Sequence, residues 1–141
     1  MSISMYKAGI PVSVRYLNNL SAIIDKAIAP CAERKIDPAV LVNFRLYPDM
    51  LPFSRQIQIA SDIVKGGAAR LAGQEPPSYA DNEATFEDLK ARIAKTVTYL
   101  QTFKPEQIDG SENKEVVLKM RSGELKFTGI DYLTGFVLPN L

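Results

Sequence analysis

Residues 85–103 read Thr85-Phe86-Glu87-Asp88-Leu89-Lys90-Ala91-Arg92-Ile93-Ala94-Lys95-Thr96-Val97-Thr98-Tyr99-Leu100-Gln101-Thr102-Phe103. Phe86, Leu89, Ile93, Val97 and Leu100 recur at steps of three and four, the spacing that brings side chains to one face of an α-helix. Thr85 with Asp88 three positions on resembles a capping box, Asp standing where Glu is usual. This stretch predicts a helix to about Phe103 with one apolar face turned inward, and that face demands partners.

Two more segments supply them. From about Val12 to Arg34, the residues Leu17, Leu20, Ile24, Ala27 or Ile28, and Cys31 form a second stripe, with Asn18, Asn19, Asp25 and Lys26 between them facing water. Pro30 falls inside that pattern, where a missing N–H and a ring clash one turn back predict a kink or an earlier end. From about Leu51 to Ala72, Ile57, Ala60, Val64, Gly67 or Ala68, and Leu71 form a third stripe. Asp49 is the expected cap, Pro52 falls in the first turn, and Gly73 is the expected left-handed terminator. Between the first two long segments, Asp37-Pro38 signals a short helix to about Phe44, broken by Tyr47-Pro48-Asp49. Gln74 to Ala84, with Pro76-Pro77, reads as a polar loop.

After Pro105 the period shortens to two. Val116 and Leu118, then Leu125 and Phe127, alternate with polar residues around Met120-Arg121-Ser122-Gly123, which predicts a hairpin. Such a hairpin is marginal alone and must lay one face on the helices. Thr128-Gly129-Ile130-Asp131 then opens a fourth helix bearing Tyr132, Leu133, Phe136 and Val137, which has barely begun at Leu141. The expectation is an all-α fold, one domain over residues 1–141: a four-helix bundle with its fourth helix cut short and a small β-hairpin between helices three and four.

The 141 residues include no His and one Cys, with 17 Lys plus Arg against 16 Asp plus Glu, a formal net charge of +1. That balance gives no electrostatic pull toward nucleic acid or an anionic membrane. Without imidazole, catalytic triads and His-based metal sites are excluded within these residues; an all-carboxylate site for Mg²⁺ or Mn²⁺ stays open. One Cys forms no internal disulfide. No secretory signal or spanning segment is legible, so a reducing cytoplasm is the expected address.

Several residues invite a chemical reading beside a structural one. Gln58 and Asp62 share a helical face, Arg55 lies three residues before Gln58, and Lys65 three after Asp62. They either line a cleft, with Asp62 as base or ligand, or form a structural salt-bridge network. Arg45 and Asp49 flank Pro48, where they form a bidentate pair at the bundle mouth, Arg45 binds a substrate carboxylate, or the two cap the second long helix and tie down the connection. Arg45, Asp49, Arg55, Gln58 and Asp62 are therefore the candidate ligand-binding set, with no catalytic or metal-binding residue assigned. Asp25, Asp62 and Asp131 sit on different helices and would have to meet across the bundle to hold a cation. Gly66-Gly67, in mid-helix at about 1 kcal/mol each relative to Ala, admits either a ligand or another helix at close range. Cys31 is a nucleophile only if cations lower its pKa, and its place on the first stripe makes it a core residue.

Four runs together point to a family: Arg45-Leu46-Tyr47-Pro48-Asp49-Met50-Leu51-Pro52-Phe53, Arg55-Gln56-Ile57-Gln58-Ile59-Ala60, Lys65-Gly66-Gly67-Ala68-Ala69-Arg70-Leu71-Ala72-Gly73, and Gly135-Phe136-Val137-Leu138-Pro139-Asn140. They resemble a bacterial family of unknown function placed in the DinB/YfiT-like superfamily of metalloenzymes, and the match spans essentially the whole chain. The resemblance implies a four-helix bundle with long crossovers, often a homodimer, around a central polar pocket. In better-known members three histidines hold a divalent metal and some transfer a low-molecular-weight thiol. This sequence has no such histidines, and it stops where family members continue through the fourth helix, so truncation is expected. Two functions follow: a non-catalytic, homodimeric module that binds a small molecule or serves a stress response, without cofactor, or a metal-dependent thiol-transferase-type enzyme whose ligands lie outside these residues. The first predicts an apolar cleft with few polar groups.

Overall fold

The computed structural model of the chain describes residues 3–120 and 122–141. It is 62% helical with one two-stranded antiparallel hairpin. Three long helices dominate: α1 (Met5–Arg34), α3 (Phe53–Leu71) and α4 (Phe86–Gln101), with short α2 (Pro38–Val42) and α5 (Pro105–Ile108) in the connections. β1 (Glu115–Met120) and β2 (Gly123–Thr128) precede a single helical turn α6 (Gly129–Asp131), a π-helical stretch Tyr132–Val137, and α7 (Leu138–Asn140).

The predicted stripes build the core. Leu17, Ile24 and Cys31 of α1, Ile57, Val64 and Leu71 of α3, and Phe86, Leu89, Ile93 and Leu100 of α4 are all buried; Leu20 is half-buried and packs against them. α4 lies between the other two, packing chiefly on α1 and α3. Its capping box forms as read: Thr85 Oγ1 accepts from the Asp88 N–H at 3.1 Å, and Asp88 Oδ2 accepts from the Thr85 N–H at 3.0 Å.

Two boundaries differ from expectation. α1 starts at Met5 rather than Val12, because Ser4 caps it and Met5, Ile10 and Ser13 bury the same side as Leu17. It ends at Arg34 as read, passing through Pro30 rather than stopping short of it. One lost backbone bond is outweighed there by burial of Ile24 and Cys31 on either side, and Lys35 in the left-handed region closes the end. Asp49 does not cap α3, which begins at Phe53 with Pro52 at the cap position. The connection itself provides the partner, since the Phe53 N–H donates to the Phe44 carbonyl at 2.9 Å. Gly73, with φ +75°, ends α3 as read.

The hairpin pairs Val116 with Phe127 and Leu118 with Leu125. Val116 and Leu118 are buried and Phe127 is half-buried, but Leu125 is exposed, so β2 is the wetter strand. Arg121 of the expected turn lies outside the described residues. Tyr132, Leu133 and Val137 are buried on a π-helical rather than α-helical stretch, and a Cβ on Gly67 would stand 2.9 Å from both Val137 methyls. Close approach of another helical element, not of a ligand, is thus what Gly67 accommodates.

Candidate functional site

Arg92 organises one face of the molecule. It sits on α4 one residue before the stripe residue Ile93, and its side chain is 1% exposed. Its Nη2 donates to Asp62 Oδ1 at 2.9 Å; its Nη1 donates to Glu83 Oε1 at 3.0 Å and to the Ala80 carbonyl at 3.1 Å, and stands 3.1 Å from Asp81 Oδ1. Residues on α3 close the network. Lys65 donates to Asp62 at 2.7 Å, Gln58 Nε2 to Glu83 at 2.8 Å, and Arg55 Nη1 to both Asp81 and Gln58 Oε1 at 2.6 Å. Tyr79 lies beside it, its ring centroid 3.8 Å from the Lys65 ammonium and 4.1 Å from that of Lys95.

The charges explain the titration of the site. The hydrogen bond from Arg55 holds the Asp81 carboxyl below the ordinary carboxylate range, against partial burial. Burial pushes Glu83 up, but the hydrogen bonds from Arg92 and Gln58 outweigh it and leave its pKa lowered. Burial raises Tyr79, so it stays a neutral phenol at physiological pH. The network straps the 74–85 loop onto α3 and α4, and every carboxylate in it faces a cation of the same chain.

That arrangement does not suit a divalent metal. Among the described residues, no three His, Cys, Asp or Glu side chains converge to hold one. Asp62, Asp81 and Glu83 turn their oxygens toward guanidinium and ammonium groups instead. Asp25 pairs with Lys90, and Asp131 accepts from the Thr128 hydroxyl at 2.7 Å, so neither meets Asp62. Cys31 is buried in the core.

The five residues singled out from sequence fall in two places. Arg55, Gln58 and Asp62 come together in the network. Arg45 and Asp49 lie apart from it in the 43–52 connection, where Arg45 donates to the Met50 carbonyl and Asp49 is exposed. The connection borders a second feature, a cleft of about 390 Å³ lined by Ala27, Leu41, Phe44, Met50, Phe53 and Phe86, among others. Gln56 is the polar side chain among its lining residues. Sequence reasoning missed Arg92, Asp81, Glu83 and Tyr79 in the network. The legible signal was a cation at position 92, adjoining Ile93 within an inward face; the loop acids carried none, because a polar loop is acidic for many reasons.

No described helix is long and apolar enough to cross a membrane. A comparison with proteins of curated function finds no match. Among solved structures, the chain resembles a crystal structure at 1.83 Å of a DinB family member protein from Shewanella denitrificans, with a TM-score of 0.89 and 36% identity. The match covers 96% of this chain and 77% of that one. Residues 5–141 match the model of a family described as a domain of unknown function, DUF1993. With that match and that neighbour, the chain belongs to the DUF1993 family, within the DinB-like fold.

Proposed function

We propose that this chain, as one domain, is a non-catalytic, homodimeric binding module for a small apolar molecule, built on a four-helix bundle. The apolar cleft of about 390 Å³ carries the reading. That size lies within the range of small-molecule sites, and such sites are mostly apolar with a few polar groups that fix orientation. Gln56 is such a group, and Arg45 holds the Met50 carbonyl and with it the cleft's outer wall. In this reading Arg55, Gln58 and Asp62 brace the far side of α3, Asp49 stays in solvent at the connection, and no cofactor is required. A reducing cytoplasm suits the single buried thiol.

The dimer rests on exposed apolar surface. Phe44, Leu46, Met50 and Leu51 line the cleft, with Leu46 81% exposed; Val40 and Tyr47, next to lining residues in sequence, are exposed as well, and helical spacing puts the exposed Tyr16 and Ile23 on the α1 face that carries Ala27. Exposed apolar side chains in this number, three of them aromatic, offer area of the order one partner gives a standard interface, roughly 800 Å². Monomers rarely leave that much apolar surface to water.

Titration with the apolar fluorophore N-phenyl-1-naphthylamine, paired with sedimentation equilibrium, tests both parts. Saturable fluorescence that weakens about tenfold or more in Ala27→Phe, where a ring fills the cleft, is expected (~1.4 kcal/mol). Leu46→Glu is expected to weaken self-association by at least a similar factor. Unsaturable fluorescence, or binding indifferent to Ala27→Phe, refutes the ligand site; a monomer at high protein concentration refutes the dimer.

A further inference from the structure

Arg70 stands in the last turn of α3, outside the Arg92 ion-pair network. Its guanidinium folds back one helical turn over Gly66, where any Cβ would collide with Nη1. From there Nη1 donates to the Tyr132 hydroxyl oxygen at 3.1 Å. Tyr132 comes from the π-helical stretch, an irregularity that often marks functional sites. Its ring stacks on Phe136, with centroids 5.8 Å apart and planes 16° from parallel. Because the phenol oxygen accepts from Arg70, its own hydrogen is left to donate elsewhere, and burial raises its pKa so that it keeps that hydrogen.

These donors open onto a groove of about 230 Å³ whose apolar wall is Ile59, Ile63, Met120 and Phe136. Lys119 adds a second cation at its border. Asp62 reaches the rim, but its carboxylate already takes Lys65 and Arg92. Among the described residues no carboxylate stands within ion-pair distance of Arg70. A guanidinium held in a glycine notch, fixed by a phenol and left without an anion, is set for planar recognition of a carboxylate.

We propose that the Arg70–Tyr132 groove is a binding site for a small organic acid, its carboxylate on Arg70 and its flat apolar body against Ile59, Ile63 and Phe136. This site shares no lining residue with the cleft around Ala27, so either can be filled without the other.

Isothermal titration of the full chain with 2-naphthoate and its neutral isostere 2-naphthamide decides the matter. The acid is expected to bind about tenfold or more tighter than the amide, as a charge-assisted pair requires. Arg70→Met is expected to erase that preference. Gly66→Ala, which favours the helix yet fills the notch, is expected to reduce it while the circular dichroism melt stays cooperative, so the test does not depend on Arg70→Met folding. Equal affinity for acid and amide, absence of binding at millimolar ligand, or a preference that survives both substitutions overturns the proposal. Ala27→Phe serves as the control that separates this groove from the cleft, and loss of naphthoate preference in that variant counts against an independent site.

Discussion

The two faces of α3 make opposite use of their residues. On the Arg92 face, Arg55, Gln58, Asp62 and Lys65 look like catalytic equipment, yet each is occupied by a partner from the same chain. On the cleft side, Phe44, Leu46, Met50 and Phe53 look like ordinary apolar filling, yet they border an open hollow and several stay in water. Chemical capacity belongs to groups left without partners, and residue type alone does not reveal which those are. A buried cation ringed by carboxylates is a structural element first, since desolvation makes each ion depend on the others.

The largest expected effect breaks that comparison at its centre. Arg92→Met leaves Glu83, 10% exposed, and the half-exposed Asp62 and Asp81 with less compensation. Removing one partner from a buried ion cluster costs about 3 kcal/mol or more, to be read from the midpoint of urea unfolding. Fluorophore binding at the cleft is expected to stay within about twofold at temperatures where the variant is folded, well below the tenfold that 1.4 kcal/mol represents. A large loss of binding with little loss of stability would mean the network belongs to the ligand site after all.

A smaller change sharpens the boundary between loop and helix. Thr85 and Asp88 satisfy each other's backbone N–H groups where the strapped loop enters α4, and Asp88 also accepts from the Ala84 N–H at 3.1 Å. Thr85→Ala is expected to cost about 1 kcal/mol in the same assay. An effect near zero would show that the Arg92 ion pairs alone hold the loop.

The difference between the faces also accounts for what was legible beforehand. Hydrophobic spacing located α1, α3 and α4 and their buried residues, because a stripe at steps of three and four states its own geometry. It missed the start of α1 at Met5, since local propensity yields to burial of neighbours such as Met5 and Ile10. Asp49 was misplaced as a cap because a backbone carbonyl, that of Phe44, meets the first N–H of α3 and has no side-chain signature. At the site, the i, i+3 and i, i+4 relations gathered Arg55, Gln58 and Asp62 correctly on one helix. Spacing is silent about contacts between distant segments, so Asp81, Glu83 and Arg92 stayed hidden, and so did the hollow beside Ala27.

The mildest test is pH, and it addresses both faces at once. Asp81 is held below the ordinary carboxylate range by Arg55 and Glu83 by Arg92 and Gln58, whereas in the unfolded chain both titrate near about 4. The folded form therefore binds these protons less readily than the unfolded form, and its advantage is complete above the unfolded values. As pH falls below about 4, protons enter the unfolded chain first, and the contribution is gone once the lower folded values are passed. Solvent at Asp81, which is 40% exposed, limits the size of the effect. The melting temperature is expected to drop by a few degrees between neutral and acid solution, and by less in Arg92→Met, whose Glu83 has lost the cation that depressed it. Fluorophore affinity in the cleft is expected to stay constant across the same range while the protein remains folded, because its lining titrates nowhere. If affinity instead declines in step with protonation of the network, the two faces of α3 are coupled, and the separation of a braced charged side from an open apolar one does not hold.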